Sequence, residues 1–151
     1  MPVEAVTDDE NYMRKALAEA RIAFNKGEVP IGAVVECGGQ IVARSHNLTE
    51  MLNDVTAHAE MQAITAAANT LGGKYLSSCT VYVTVEPCVM CAGALSWAQV
   101  GRVVYGTPDE KRGYLKFAPG ALHPRTKVTG GVLSEECAAL MKSFFALRRE
   151  S

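Results

Sequence analysis

No apolar run in this chain approaches the roughly 18 residues needed to cross a bilayer, so a membrane-spanning role is not expected. The opening residues Met1-Pro2-Val3-Glu4 are acidic and lack a basic flank followed by an apolar stretch. No export signal is therefore expected, and a cytoplasmic location is. Internal repeats and low-complexity tracts are missing, which sets aside solenoid and linker architectures. The cysteines number five, an odd count, and without a secretion signal they do not suggest a disulfide framework. Metal binding or catalysis is the better expectation, and only Cys88 and Cys91 are closely spaced. A strong excess of either charge is also lacking, since the formal net charge is −1.

What remains is ample for one globular domain covering residues 1–151. Hydrophobic residues make up 48% and charged residues 21%. The charge is unevenly spread. Residues 1–100 hold 6 Lys/Arg against 11 Asp/Glu, whereas residues 101–151 hold 9 against 5. A local basic face can bind phosphates even on a near-neutral protein. Charge alone nevertheless fits an ordinary solvated surface better.

The periodicities alternate between helix and strand. Met13, Ala16, Leu17, Ala20, Ala23 and Phe24 recur at helical spacing, with Thr7, Asp8 or Asp9 as cap and Gly27 as stop. Ile31 to Glu36 and Gln40 to Ser45 read as strands joined by a Gly38-Gly39 turn. A helix is expected from about Ala57 to Leu71, then a strand over Thr80 to Val85, rich in β-branched residues. Pro87 suits the first position of a helix running to about Ala98. A short strand follows at Arg102 to Tyr105, a long loop at 107–127, and a last helix from Ser134 to about Arg149. The class expected is α/β, with a mixed sheet covered by helices.

Chemistry concentrates at Pro87-Cys88-Val89-Met90-Cys91. Two cysteines three apart in a first helical turn share one face, where free N–H groups and the helix dipole favour thiolates. Alone, the pair suits a metal or a redox couple about equally. His58-Ala59-Glu60 favours the metal. One histidine and two cysteines are three zinc ligands, which leaves a fourth position open for water, the pattern of a catalytic site. Glu60 would stand close enough to move protons between that water and a substrate nitrogen. In a regular helix, however, residues two apart point about 200° away from each other. His58 should therefore sit at the very start of the helix, where the backbone is not yet regular, with Thr56 or Ala57 near its cap. The 26 residues between Glu60 and Pro87 form one helix, one turn and one strand, enough to return the chain to the same end of a sheet.

The joint pattern resembles the H-x-E…P-C-x-x-C signature of the zinc-dependent nucleobase deaminases, with no mismatch at His58, Glu60, Cys88 or Cys91. Within that family the chain is most similar to the bacterial tRNA-specific adenosine deaminases. The likeness is carried by Glu28-Val29-Pro30-Ile31-Gly32-Ala33-Val34, Thr56-Ala57-His58-Ala59-Glu60, Tyr82 through Ala94, and the tail from Glu136 to Arg149. The resemblance implies a three-layer α/β/α cytidine-deaminase-like fold around a mixed five-stranded sheet. It implies one zinc ion per subunit on His58, Cys88 and Cys91, with Glu60 as general acid/base. The implied reaction is hydrolytic conversion of the wobble adenosine of an arginine tRNA anticodon to inosine, by a homodimer. By the same resemblance Asn47 holds the nucleoside, Val29 and Pro30 line the base pocket, and Ala59 and Glu60 meet the Watson–Crick edge. Lys111, Phe144, Arg148 and Arg149 would meet the anticodon loop.

Two departures bear on the substrate. Asp109-Glu110-Lys111 leads into Arg112-Gly113-Tyr114-Leu115-Lys116-Phe117, where the tRNA enzymes carry small residues, and Val55 stands where proline is common. A deaminase of a free base or nucleoside, such as guanine or cytosine, is the alternative, and Trp97 is slightly similar to guanine deaminases. The basic tail favours RNA, because a free base has no phosphates to neutralise. A non-catalytic zinc or RNA scaffold has no need of Glu60, and a thiol redox protein has no need of His58.

Overall fold

The structure is a computed structural model that describes residues 2–150 and the side chains of residues 8–149. Its elements in chain order are α1 (Pro2–Asn25), β1 (Gly32–Cys37), β2 (Gln40–His46), α2 (Ala59–Leu71), β3 (Cys79–Val85), α3 (Val89–Trp97), β4 (Arg102–Thr107), α4 (Tyr114–Phe117), β5 (Lys127–Thr129) and α5 (Ser134–Glu150). The strands form one five-stranded sheet in the order β2-β1-β3-β4-β5. β1 is antiparallel to both β2 and β3, while β3, β4 and β5 run parallel. This is the mixed α/β sheet expected. Among the described residues no helix is long and apolar enough to cross a membrane.

Strand periodicity explains the three layers. Alternate side chains point to opposite faces, and both faces of the central strands are apolar. In register across the sheet, Val34, Tyr82 and Val104 point to one side, where Met13, Ala16 and Leu17 of α1 and Cys137 of α5 cover them. Val35, Val81 and Val103 point to the other, against Ala63 and Ala67 of α2 and Leu95 of α3. Each fully buried Val or Leu of this kind contributes about 1.5–3 kcal/mol. Gly32 lets β1 run close under α1, since a Cβ there would collide with the Ala16 carbonyl and the Ala20 nitrogen.

Two expectations need correction. The segment 107–127 is not one long loop: β4 continues to Thr107, Tyr114–Phe117 makes a single helical turn, and β5 begins at Lys127. The first helix starts at Pro2, upstream of the cap expected at Thr7, Asp8 or Asp9. Asp9 is used differently. Its carboxylate accepts from both terminal nitrogens of Arg102, at 2.8 and 2.7 Å, and from the Tyr82 hydroxyl at 2.9 Å. Arg102 also donates to Thr129 at 3.0 Å, so one cluster ties α1 to β3, β4 and β5.

Burial alone would raise the Asp9 pKa, but the Arg102 guanidinium and the Tyr82 phenol outweigh it and hold the carboxyl below its usual value. A carboxyl depressed in this way stabilises the fold above its unfolded pKa of about 3.9, and that contribution is lost as pH falls through the folded value. The melting-temperature gap between the parent and Asp9→Asn should therefore be open near neutrality and close in acid. A gap that stays open at the acid end of the profile would contradict this account.

Candidate metal centre and active-site cavity

β3 carries the chain to the site and α3 begins there. α3 starts at Val89, with Cys88 as its extended N-cap residue (φ −73°, ψ 174°), two residues later than a start at Pro87. The Pro87 carbonyl instead accepts the Tyr114 N–H at 2.9 Å, which holds the following segment against the cysteine turn. α2 also begins at the site. His58 is its N-cap residue, extended at φ −73° and ψ 157°, so the cap lies one or two residues beyond Thr56 and Ala57. That extended backbone resolves the 200° conflict of a regular helix, and His58 and Glu60 line the same cavity.

His58, Cys88 and Cys91 converge. His58 Nδ1 lies 3.6 Å from Cys88 Sγ and 3.5 Å from Cys91 Sγ, and the three donor atoms fall within 4.8 Å of one another. A tetrahedral zinc with Zn–N of about 2.0–2.1 Å and Zn–S of about 2.3 Å needs an N···S separation of about 3.6 Å. The donor set therefore fits zinc in both chemistry and spacing. Three protein donors would leave a tetrahedral ion one position for water.

The electrostatics follow from this convergence. Cys88 is held down to about 4, first by a hydrogen bond from the Cys91 thiol and then, against burial, by His58 and the Cys91 backbone N–H. Cys91 is pushed up, by the Cys88 sulfur and by burial, so the two sulfurs share one proton. A divalent cation replaces such a proton and leaves both sulfurs as thiolates. The Cys88 sulfur holds His58 above its usual value in spite of burial. Glu60 is 3% exposed, and burial, reinforced by the Cys88 charge, pushes its carboxyl up to about 7. A carboxyl balanced near neutrality can both accept and return a proton.

The cavity over this cluster has a volume of about 670 Å³. Val29, Asn47, Ala59, Glu60 and Lys111 line it, as do Met90, Arg112 and Phe117. Pro30 does not; it is buried beside the cavity, and Ile31 supplies the lining instead. Asn47 is 5% exposed. Its amide nitrogen is engaged by Thr49 Oγ1 at 3.2 Å and Glu28 Oε1 at 3.5 Å, which leaves its oxygen as the atom available to a ligand.

Two buried carboxylates, Glu86 in the cavity lining and Glu28 behind Asn47, brace the surrounding chain, and sequence reasoning missed both. Glu28, 1% exposed, accepts the backbone N–H groups of Glu50 at 3.0 Å and Met51 at 2.7 Å. Glu86, 6% exposed, accepts those of Asp109 and Leu115, each at 3.1 Å. A Cβ at Gly113 would strike the Glu86 carboxylate and the Asp109 carbonyl, so this turn requires glycine. The available signal was an acid directly preceding an apolar or proline-bearing motif, at Glu28-Val29-Pro30 and Glu86-Pro87.

A second groove of about 940 Å³ lies between the end of β4 and α5. Lys142, Arg148 and Arg149 line it, and it shares Asp109, Lys111 and Arg112 with the first cavity. Arg148 donates to the Gly27 carbonyl at 2.8 Å and lies over the Phe144 ring. Phe144 itself is 5% exposed and packs edge-on against Phe24, so it is not presented to a ligand; the ring that faces outward is Phe145, 41% exposed. The expectation that Phe144 meets RNA directly is corrected accordingly, because α5 must bury one face against α1.

A profile of the MafB19-like deaminases matches residues 7–149. The tRNA-specific adenosine deaminase of Bacillus subtilis is 45% identical, over 93% of this chain and 90% of its own. A solved structure from studies of A-to-I editing by tRNA:A34 deaminases at the wobble position superposes with a TM-score of 0.81 at 43% identity, covering 86% of this chain and 98% of that one. The guanine deaminase of Nitrosomonas europaea superposes with a TM-score of 0.78 at 25% identity, covering 91% and 84%. Its metal-fitting cluster, three-layer sheet and near-complete overlap with these relatives lead to one assignment: the chain belongs to the MafB19-like deaminase family, alongside the tRNA-specific adenosine deaminases.

Proposed function

We propose that the chain, acting as a single domain, converts adenosine to inosine at the wobble position of a tRNA anticodon, that of arginine tRNA. The observation that carries this reading is the cluster of His58, Cys88 and Cys91 beside one cavity, lined by His58, Cys88 and Glu60, that shares a wall with a basic groove. His58, Cys88 and Cys91 would hold one zinc ion per subunit. Bound there, zinc supplies a water of lowered pKa, so that hydroxide is available near neutrality.

The chain's own residues do the rest. Asn47 holds the nucleoside, Val29 bounds the base, and Ala59 and Glu60 meet its Watson–Crick edge. Glu60 takes one proton from the attacking water and delivers it to the ring nitrogen, then passes the second proton, from the hydroxyl formed at the ring carbon, to the leaving amine. One water is consumed and one ammonia released. Lys111, Arg148 and Arg149 neutralise phosphates of the loop. A flipped or unpaired nucleotide suits such a cavity, since chemistry on a base requires its removal from the stack.

Support for RNA over a free base comes from the groove, where five cationic residues (Lys111, Arg112, Lys142, Arg148 and Arg149) sit within one lining. The test is ammonia release from arginine tRNA, free adenosine, guanine and cytosine. Arginine tRNA should react far faster than any free substrate. Removing a phosphate-binding cation, as in Lys111→Ala or Arg149→Ala, should flatten the salt dependence by about one unit of slope. Free guanine reacting as fast as tRNA would establish the guanine deaminase reading instead.

The homodimer is supported by apolar side chains left open at the cavity rim, Val55 at 83% and Phe117 at 60% exposure, and by Trp97 at 85%. Such patches mark interaction surfaces, and a sedimentation mass of one chain would rule the dimer out. Free thiols at all five cysteines suit the cytoplasm. Recovery of the native protein in a membrane or exported fraction would contradict that location.

A further inference from the structure

Gln62 has no part in the chemistry above, yet its side chain touches both halves of the site. It lies one helical turn beyond His58 on α2. Its amide nitrogen donates to the His46 carbonyl at 2.7 Å, and also approaches the carbonyls of Ala57 at 3.3 Å and His58 at 3.4 Å. An amide has two N–H groups. One makes the short bond to His46, and the other is shared between the two carbonyls that open α2.

The three acceptors are informative. His46 ends β2, the edge strand of the sheet, and directly precedes Asn47. Ala57 and His58 form the entry to α2, where His58 stands as the extended N-cap residue. The eleven-residue excursion from Asn47 to Ala57 leaves and returns between these points, mostly as turns and irregular backbone. Its two ends are also joined by the Leu48 N–H to the Ala57 carbonyl at 3.0 Å. The Ser45 hydroxyl adds a bond to the Ala59 carbonyl at 2.6 Å. The Gln62 amide is the side chain that holds the strand end and the histidine at the same time.

We infer that Gln62 is a positioning residue that fixes Asn47 and His58 relative to one another, so that the nucleoside and the metal are presented in register. The identity of the nucleoside substrate rests on the proposed tRNA reading; the effect on the metal does not. Groups that orient a ligand from behind it change metal affinity or activity by about 10–100-fold when removed, although they touch neither metal nor substrate.

The test compares Gln62→Leu, Gln62→Glu and Gln62→Lys with the parent, reading zinc retention against a competing chelator together with kcat and KM on arginine tRNA. Leucine fills the space without a donor, and glutamate sets an acceptor against three carbonyls. Both should weaken zinc retention by about 10–100-fold and raise KM more than they lower kcat. Lysine, whose ammonium can donate to the same carbonyls, should recover part of both. Parental zinc retention and KM in Gln62→Leu, whatever its melting temperature, would overturn the inference. So would a Gln62→Lys variant as impaired as Gln62→Leu. If the parent itself fails on tRNA, the tRNA reading falls, and zinc retention still decides the role of Gln62.

Discussion

Replacing Glu60 with alanine is expected to lower deamination by about 10²–10⁴-fold, the usual weight of a positioned general acid/base, while zinc content stays at the parental level. The two halves of this expectation have separate causes. Glu60 sits in the first turn of α2, two residues after His58, and is not among the three donors that converge at 3.5–3.6 Å. Its removal therefore leaves the nitrogen and both sulfurs in place. What disappears is the one group in the cluster able to carry a proton between water, ring nitrogen and leaving amine. Stability should suffer little, because a carboxyl raised to about 7 by burial is poorly solvated at neutral pH and gives the fold no electrostatic benefit there. Glu60→Gln keeps the shape and removes the titration, so it should be as inactive as the alanine variant. Inosine formation and metal analysis on the same preparations check both parts. An active Glu60→Ala enzyme, or one that has lost its zinc, would refute the role.

Cys91→Ser is expected to abolish zinc binding and activity together. Cys91 is fully buried at the start of α3, and its thiolate is a soft donor for which a hydroxyl is no substitute. The same change converts a metal-linked stability into its absence. A ligand held at a thousand times its dissociation constant stabilises the native state by about 4 kcal/mol. Chelation should therefore lower the melting temperature of the parent markedly and leave that of Cys91→Ser unmoved. Cys79→Ser is the control. That residue is also buried, and burial first, then Cys37, pushes its thiol up to about 12, but it lies at the far end of β3 from the cluster and should keep its zinc. A Cys91→Ser variant that still melts higher with zinc than with chelator would refute the assignment.

Most of this site was legible in the sequence because its residues are close together along the chain. His58 and Glu60 are two apart, as Cys88 and Cys91 are three apart, and short-range spacing constrains direction. The demand that His58 and Glu60 face one point already required an irregular helix entry, and the extended backbone at His58 supplies it. The β-branched residues of Thr80 to Val85 likewise marked a strand, and it is nearly continuously buried because helices cover both faces of the sheet there. β5 was missed because Lys127–Thr129 contains a single aliphatic residue and owes its strand conformation to backbone pairing with β4. Glu28, Glu86 and Gln62 were missed for a related reason. Each satisfies backbone groups far along the chain, or across an excursion, and no local pattern encodes such partners. Phe144 and Phe145 are adjacent aromatic residues, and only the docking of α5 on α1 decides which is buried.

The Glu86 anchor has a consequence for how this enzyme can vary. Its carboxylate grips the chain at Asp109 and again at Leu115, on either side of the cations Lys111 and Arg112. The intervening stretch is thus clamped at its base like a cartridge in a socket, with Gly113 the one position whose identity the clamp dictates. Recognition can be rewritten within that cartridge while the metal cluster below keeps its geometry. A transplant of residues 110–112 between relatives should then exchange preference among nucleic-acid partners without retraining the chemistry.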